Sequence, residues 1–475
     1  MLSSIMLSNI KPSTIFDRNA EWSTLSALVG HGGGLGVMWG PRRAGKSFLL
    51  GHLAEQANGF YWQATERQST QVLADFAAAA GARAGMPAAP ALVDWSAAIR
   101  LALGGSLGPI VVLDELPYLI ASEPGLASII QAEVDARRRA GGGAALILCG
   151  SAVSIMSELI GRAAPLFGRA QMAMPLGPFP AALAARHWGL GRDPRAAFLV
   201  GAVVGGLPGY RDLVLERPTA APQVEDWICD QVLAPWSAFL EEDALALAQP
   251  GSDSARTFRS ILSAVVNGDR TPTGISRRIG LPVTSLSRPL SRMVQAGLLM
   301  HLPDPLRRKG GRYEVGDPFM AFHQSIIAPN LVALRRGGAR AVWARAEPTF
   351  RSQVLGPWME RLARDYVSGQ AMDVLGEPAG TVAPTMVNDP ARRTSIEVDF
   401  VALAHDGRIL GIGEAKTSGA ALTSETLAKL RRVRELLAVP EARLIAVTEE
   451  RPRPSARTRD VRVIGLREIY AVRTG

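Results

Sequence analysis

Leu35-Gly36-Val37-Met38-Trp39, then Gly40-Pro41-Arg42-Arg43-Ala44-Gly45-Lys46-Ser47, then Phe48-Leu49-Leu50-Gly51-His52-Leu53: the fold of the chain turns on this run. The first five residues are an uninterrupted apolar stretch bounded by glycine, which predicts a buried strand. The last six carry apolar residues at helical spacing. Between them lies G-x-x-x-x-G-K-S, and strand, glycine-rich turn, helix is the context a P-loop requires. The glycines let successive backbone N–H groups turn toward a phosphate at the helix N-terminus. The expected ligand is therefore ATP, cradled by Gly40, Pro41, Arg42, Arg43, Ala44, Gly45, Lys46 and Ser47. Lys46 would reach the β- and γ-phosphates and the Ser47 hydroxyl would hold Mg²⁺.

Two further apolar runs support an α/β reading with a parallel sheet. Pro109-Ile110-Val111-Val112-Leu113 ends in Asp114-Glu115, and Ala144-Ala145-Leu146-Ile147-Leu148-Cys149 ends in Gly150-Ser151. In a Walker B arrangement Asp114 would hold the Mg²⁺ shell and Glu115 would orient or deprotonate the attacking water. Ser151 would stand beside the γ-phosphate as a polar sensor. Downstream, Arg162 and Arg169 are candidates for an arginine that neutralises developing phosphoryl charge, in cis or from a second copy of the chain. Arg169 is the preferred one, and the trans option makes a homo-oligomer an expected partner.

With 475 residues, of which 47% are hydrophobic and 20% charged, the chain has apolar material for several cores. No apolar run is long enough to span a membrane, and the start lacks the pattern of a signal peptide, so a cytoplasmic protein is expected. Cys149 and Cys229 are the two cysteines, too few for a disulfide framework or a zinc cluster. The net charge is +9, and residues 251–312 alone hold 11 basic against 3 acidic side chains. Such a segment points to an anionic partner. Only five lysines occur, Lys11, Lys46, Lys309, Lys416 and Lys429, every other basic residue being arginine. A lysine that survives this bias marks a position where a compact ammonium is needed, and Lys46 and Lys416 are read as two such positions.

Several of these pieces together resemble the archaeal-type AAA ATPase family, which also occurs in bacteria. They are Ile15-Phe16-Asp17-Arg18, the P-loop, Leu113-Asp114-Glu115, Leu148-Cys149-Gly150-Ser151, Leu166-Phe167-Gly168-Arg169 and Gly205-Gly206-Leu207-Pro208-Gly209-Tyr210. The resemblance covers residues 12–245. It implies an AAA-type ATPase domain with a helical lid over the nucleotide, and it places Cys149 where threonine is frequent.

Residues 250–325 read as a winged helix-turn-helix. Helical patterns around Phe258–Val266, Thr273–Ile279 and 284–296 are followed by the strand run Gly297-Leu298-Leu299-Met300-His301-Leu302. Ser285, Ser287, Arg288, Ser291 and Arg292 would face a DNA groove. Arg307-Arg308-Lys309-Gly310-Gly311-Arg312 would form the wing and grip phosphate. Pro289 falls in the third of these helical patterns, so that helix is expected to begin near 284 or, with the proline in its first turn, at Ser287. A module used only for protein contact is the alternative. Arg312-Tyr313-Glu314-Val315-Gly316-Asp317-Pro318-Phe319 resembles the segment that closes this domain in the same family.

In residues 345–475, Ile396-Glu397-Val398-Asp399-Phe400-Val401-Ala402-Leu403 alternates as a strand. An Asp406-Gly407 turn leads into Arg408-Ile409-Leu410-Gly411-Ile412-Gly413-Glu414-Ala415-Lys416. The two-residue period puts Glu414 and Lys416 on one face, and the paired strand can bring Asp399 beside them. Carboxylates to bind Mg²⁺ and a lysine to position water are what a metal-dependent phosphodiesterase uses. The pattern is similar to the PD-(D/E)xK nuclease superfamily, and that resemblance adds Glu360 as a further metal ligand. A solvated salt bridge is the alternative at Glu414 and Lys416. The expected whole is an ATP-hydrolysing AAA-type protein acting on DNA, with Mg²⁺ as cofactor and a nuclease-like C-terminal α/β domain. The competing expectation is a non-catalytic switch in which ATP gates binding to DNA or to a protein.

Overall fold

A computed structural model of the chain describes residues 10–162, 164–242, 255–417, 422–451 and 458–471. Its described residues fall into two compact units, one ending at Pro178 and one beginning at Phe179. The ATPase domain expected to run from 12 to 245 is thus divided: the helices after Pro178 pack with the C-terminal part of the chain. The expected boundaries at 245 and 250 lie outside the described residues.

The first unit is built on a five-stranded sheet: β1 (Gly34–Trp39), β2 (Phe60–Gln63), β3 (Ile110–Asp114), β4 (Ala145–Gly150) and β5 (Met172–Pro175). The strand order is β2-β3-β4-β1-β5, and every pairing is parallel. Parallel sheets are covered on both faces, so their strands carry apolar side chains all along rather than alternately. β3 and β4 are buried at every position. Trp62, Phe76 and Trp95 extend this core, the Trp62 and Phe76 rings meeting edge to face at 5.2 Å. Because the strands run in one direction, the residues after β1, β3 and β4 all emerge at one edge.

The second unit contains, in order, two helices (Ala181–His187 and Pro194–Val204), a three-helix module with a hairpin, and a mixed sheet. The segments around Tyr210 and Asp317 meet here. The Tyr210 hydroxyl donates to Asp317 Oδ2 at 3.0 Å, while the rings of Tyr210, Phe239 and Phe319 stack with centroids 5.1–5.8 Å apart. Burial pushes the Asp317 carboxyl from 3.8 up to about 6, against the pull of the Tyr210 and Phe319 hydrogen bonds. A carboxyl raised in the folded state adds stability that is complete below about pH 3.8 and lost as pH climbs through about 6. Asp317→Asn is accordingly expected to flatten the fall in stability over that window, by at most about 3 kcal/mol. Guanidinium unfolding of both proteins at either end of the window measures it. Equal slopes would mean that Asp317 ionises normally.

The module comprises the helices Ala255–Val266, Pro272–Ile279 and Val283–Gln295 and the antiparallel hairpin β6 (Leu299–Pro303) and β7 (Gly311–Val315). Of the two starts expected for the third helix, the structure has the earlier, so Pro289 does not sit in a first turn. The helix starts at Val283, and Pro289 lies inside it. Losing one backbone bond there costs ~3 kcal/mol. Leu286, Leu290 and Met293 are buried along the helix at 0–2% exposure, worth roughly 1.5–3 kcal/mol each. Packing outweighs the proline, and the helix continues through it.

The C-terminal sheet has the order β12-β11-β10-β9-β8, with β8 (Thr381–Asp389), β9 (Thr394–Leu403), β10 (Ile409–Lys416), β11 (Arg443–Thr448) and β12 (Val461–Gly465). β8, β9 and β10 are antiparallel neighbours, and β10, β11 and β12 are parallel. The helix Ser424–Leu436 covers it with Leu427, Leu430 and Val433, and the helix Gly356–Gly369 packs against β8, β9 and β10. At Gly413 a Cβ would stand 1.9 Å from the Phe400 ring, so only glycine lets β9 and β10 close here. That closure sets Asp399 beside Glu414.

Candidate functional sites

In the first unit the loop 40–45 joins β1 to the helix Lys46–Gln56. A Cβ on Gly40 would lie 2.0 Å from the Leu176 carbonyl oxygen, and Gly45 has φ +91°. The loop can take its path only with glycine at both ends. Lys46 is 5% exposed and its ammonium donates to the carbonyls of Gly40 (2.8 Å) and Pro41 (2.9 Å). Burial lowers its pKa, and Cys149, Glu115 and Asp114 oppose that shift. Arg18, from the segment before the first helix, donates to the carbonyls of Gly177 (2.7 Å) and Ala44 (3.4 Å). It thereby ties the loop to the end of β5.

The expected carboxylates and hydroxyls converge at the same edge. Ser47 Oγ donates to Asp114 Oδ2 at 2.5 Å. Asp114 Oδ1 accepts the Glu115 N–H at 2.8 Å, and Ser151 Oγ donates to Glu115 Oε2 at 3.0 Å. Glu115 is held at φ +51°, a costly conformation for a side-chain-bearing residue and one that concentrates at functional positions. Ser47, Asp114, Glu115 and Ser151 form one hydrogen-bonded group, and Lys46 lies within reach of the charges of Asp114 and Glu115. Sequence reasoning missed Tyr61 on β2, whose hydroxyl also donates to Asp114 Oδ2. Nothing in a lone tyrosine within FYWQ signals that role. Hard oxygen donors already in contact, Ser47 and Asp114, suit Mg²⁺.

Arg169 is paired within the first unit. Its guanidinium is bound by the Asp135 carboxylate at 2.8–3.0 Å and reaches the Pro165 carbonyl, so it serves as a structural clasp on the helix Leu126–Ala140. That pairing lowers the Asp135 pKa. Arg162 is exposed.

In the second unit the hairpin departs from the expected phosphate-gripping wing. Leu306 packs against the C-terminal core, Asp304 accepts from the Thr385 hydroxyl at 2.8 Å, and Arg307 donates to the Met386 carbonyl at 3.2 Å. Arg312 is bound to Glu397 (2.5 Å), Glu314 (3.2 Å) and Glu360 (3.5 Å). The loop end of the hairpin is thus held on β8 and β9, and within that loop Arg308 and Lys309 are exposed. Ser285, Ser287, Arg288 and Ser291 are exposed on the third helix, and Arg292 is half-buried.

Asp399, Glu414 and Lys416 come together as the strand period implied. The Asp399 Oδ2 accepts the Ala415 N–H at 2.7 Å, and Lys416 Nζ donates to Glu414 Oε1 at 2.7 Å. Both carboxylates are buried, and burial followed by the charges of Glu414 and Glu360 pushes Asp399 up to about 7. Glu360 acts on Asp399 and Lys416 by its charge, while its carboxylate faces Arg270, Arg312 and Arg364 at 3.5–4.0 Å. Among the described residues no three His, Cys, Asp or Glu side chains group to hold a metal alone. Two mutually repelling buried carboxylates nonetheless fit a divalent cation of the Mg²⁺ kind, which is held by one or two carboxylates together with substrate phosphates. Sequence reasoning also missed Lys429, whose ammonium donates to both Glu414 oxygens. Its membership of the five lysines was the available signal.

No family model matches the chain. A curated relative from Methanocaldococcus jannaschii, the uncharacterized protein MJECL04, is 24% identical over 345 residues, 70% of this chain and 72% of that protein. Among solved structures, the chain is similar to the Walker-type ATPase paby2304 of Pyrococcus abyssi (17% identity, 67% of this chain and 99% of that one, TM-score 0.44). It is also similar to the ORC2 protein of Aeropyrum pernix, solved with ADPNP and ADP (13%, 73% and 99%, TM-score 0.42). Among the described residues no helix is long and apolar enough to cross a membrane.

Proposed function

We propose that the chain is an AAA-type P-loop ATPase that acts on DNA. The observation that carries this reading is the hydrogen-bonded group at one sheet edge, Ser47 in the first turn of the helix, Asp114 ending β3, Glu115 after it and Ser151 after β4, with Lys46 within reach of the two carboxylate charges. The loop and the N-terminus of the helix Lys46–Gln56 would cradle the phosphates of ATP, with the Lys46 ammonium turning from the loop carbonyls to the β- and γ-oxygens. Ser47 and Asp114 would hold Mg²⁺, which, when bound, neutralises charge on the phosphoryl oxygens. Glu115, kept in place by Ser151, would align the attacking water and take its proton. The finger arginine is open to Arg162 or to a second copy, since Arg169 is committed to Asp135.

The three helices and hairpin read as a winged helix-turn-helix in which Ser285, Ser287, Arg288 and Ser291 approach DNA, Arg292 backs them, and the tip residues Arg308 and Lys309 meet phosphate. The C-terminal sheet reads as a nuclease-like core with Asp399 and Glu414 toward the metal and Lys416 toward the attacking water. Two observations favour a regulatory reading of that core: Glu414 is held by two lysines, and the hairpin is clamped on β8 and β9.

The DNA-binding claim is tested by replacing Arg308 and Lys309 with alanine and titrating a DNA duplex at several salt concentrations. Affinity is expected to fall about equally for all sequences, and the slope of log affinity against log salt to drop by roughly two, about 0.9 for each phosphate no longer neutralised. An unchanged slope would assign the module to protein contact. Incubating wild-type protein with supercoiled, linear and single-stranded DNA and Mg²⁺ or Mn²⁺ then separates a cleaving core from a silent one.

A further inference from the structure

Glu414 is 2% exposed and accepts three ammonium hydrogen bonds: Lys416 at 2.7 Å and Lys429 at 2.7 Å on Oε1, and Lys429 again at 2.8 Å on Oε2. Lys429 therefore straddles the face of the carboxylate that a cation would use. Its side chain is 29% exposed, on a stem that can swing toward solvent. Three residues along the same helix, Arg432 grips the fully buried Asp389 through two bonds of 3.0 Å. That pair is a lock, because a guanidinium fork binds a carboxylate in a fixed bidentate geometry. In a chain that uses arginine almost everywhere, the helix presents arginine to the structural carboxylate and lysine to Glu414.

We infer that Lys429 is a releasable cation that occupies the metal position of Glu414 until a DNA phosphodiester draws it away, so that metal entry and DNA binding depend on one another. The inference rests on the metal-site reading of Asp399 and Glu414. With Lys429 in place, the two carboxylates are balanced by two ammoniums and a divalent cation would meet a full complement of positive charge. A phosphodiester brings negative charge to the same mouth, gives the Lys429 ammonium a new partner, and frees both oxygens of Glu414. Coupling of this kind is reciprocal: whatever factor DNA lends to metal affinity, metal lends to DNA affinity. An arginine at 429 would hold Glu414 as Arg432 holds Asp389, and the exchange would be blocked.

The test is Mn²⁺ binding to the full chain without nucleotide, followed by electron paramagnetic resonance, in wild type, Lys429→Met, Lys429→Arg and Glu414→Gln. Lys429→Met is expected to bind Mn²⁺ at the Glu414-dependent site about 10- to 100-fold more tightly than wild type, and Lys429→Arg more weakly. In saturating Mn²⁺, Lys429→Met should bind a short DNA duplex less tightly than wild type. A lysine that merely supported the fold would lower both affinities, so the opposite signs are diagnostic. Unchanged or weaker Mn²⁺ binding by Lys429→Met, with Glu414→Gln still abolishing it, overturns the role of Lys429 alone. If Glu414→Gln leaves every chain's Mn²⁺ binding intact, or no chain shows a Glu414-dependent component, the metal-site reading itself falls.

Discussion

Glu115→Gln is expected to lower ATP turnover by about 10²–10⁴-fold while leaving ATP binding close to wild type. The reason lies in what the substitution keeps. Glutamine retains an oxygen for the Ser151 hydroxyl and can take up the same left-handed backbone, so the group around Asp114 and Ser47 stays assembled. What disappears is the charge that would accept a proton from the attacking water. Lys46→Ala should separate from it cleanly, because removing the buried ammonium takes away the grip on the β- and γ-phosphates and weakens nucleotide binding itself. Turnover and nucleotide affinity measured side by side check both. Wild-type turnover in Glu115→Gln would remove this residue from the chemistry, and wild-type turnover in Lys46→Ala would remove the P-loop assignment.

Arg364→Ala should destabilise the second unit by up to about 3–5 kcal/mol, the range for removing one partner of a buried ion pair, with Arg270 and Arg312 left to balance Glu314 in part. Arg364 and Glu314 are hydrogen-bonded to each other at 5% and 7% side-chain exposure, one on the helix Gly356–Gly369 and the other on β7. Arg270 and Arg312 also stand within 4 Å of Glu314. Calorimetry should find the melting transition of that unit lowered by roughly 10 °C. The double change Glu314→Leu with Arg364→Met should recover most of the loss, since apolar replacement of a whole buried pair is often neutral or better. A single variant that melts with wild type would show that the pair contributes nothing net.

Much of the first unit was legible because its signals are local. A buried parallel strand writes itself as a continuous apolar run, and a loop that must curl around phosphate needs glycines at fixed offsets from a lysine; both survive without knowledge of the fold. The strand period likewise joined Glu414 to Lys416, and the Asp406-Gly407 turn brought Asp399 alongside. What sequence could not assign was the partner of any long charged side chain. Arg169, Arg312 and Glu360 each looked available for chemistry, and each was taken by a residue 34 to 85 positions away: Asp135, Glu397 and Arg312.

Tyr61 and Lys429 were invisible for the same reason in reverse. They reach Asp114 and Glu414 across 53 and 15 positions with no spacing rule to announce them. Pro289 shows the balance of terms most plainly, since a local rule against proline in a helix was overridden by three buried side chains that only the packed module provides. The sequence by itself determined the elements, the glycine-rich loop and the carboxylates at strand ends, because those follow from periodicity and backbone geometry. The tertiary structure alone decided which charges are free to act, because an ion pair depends on distance through space, and that distance is set by how the elements pack.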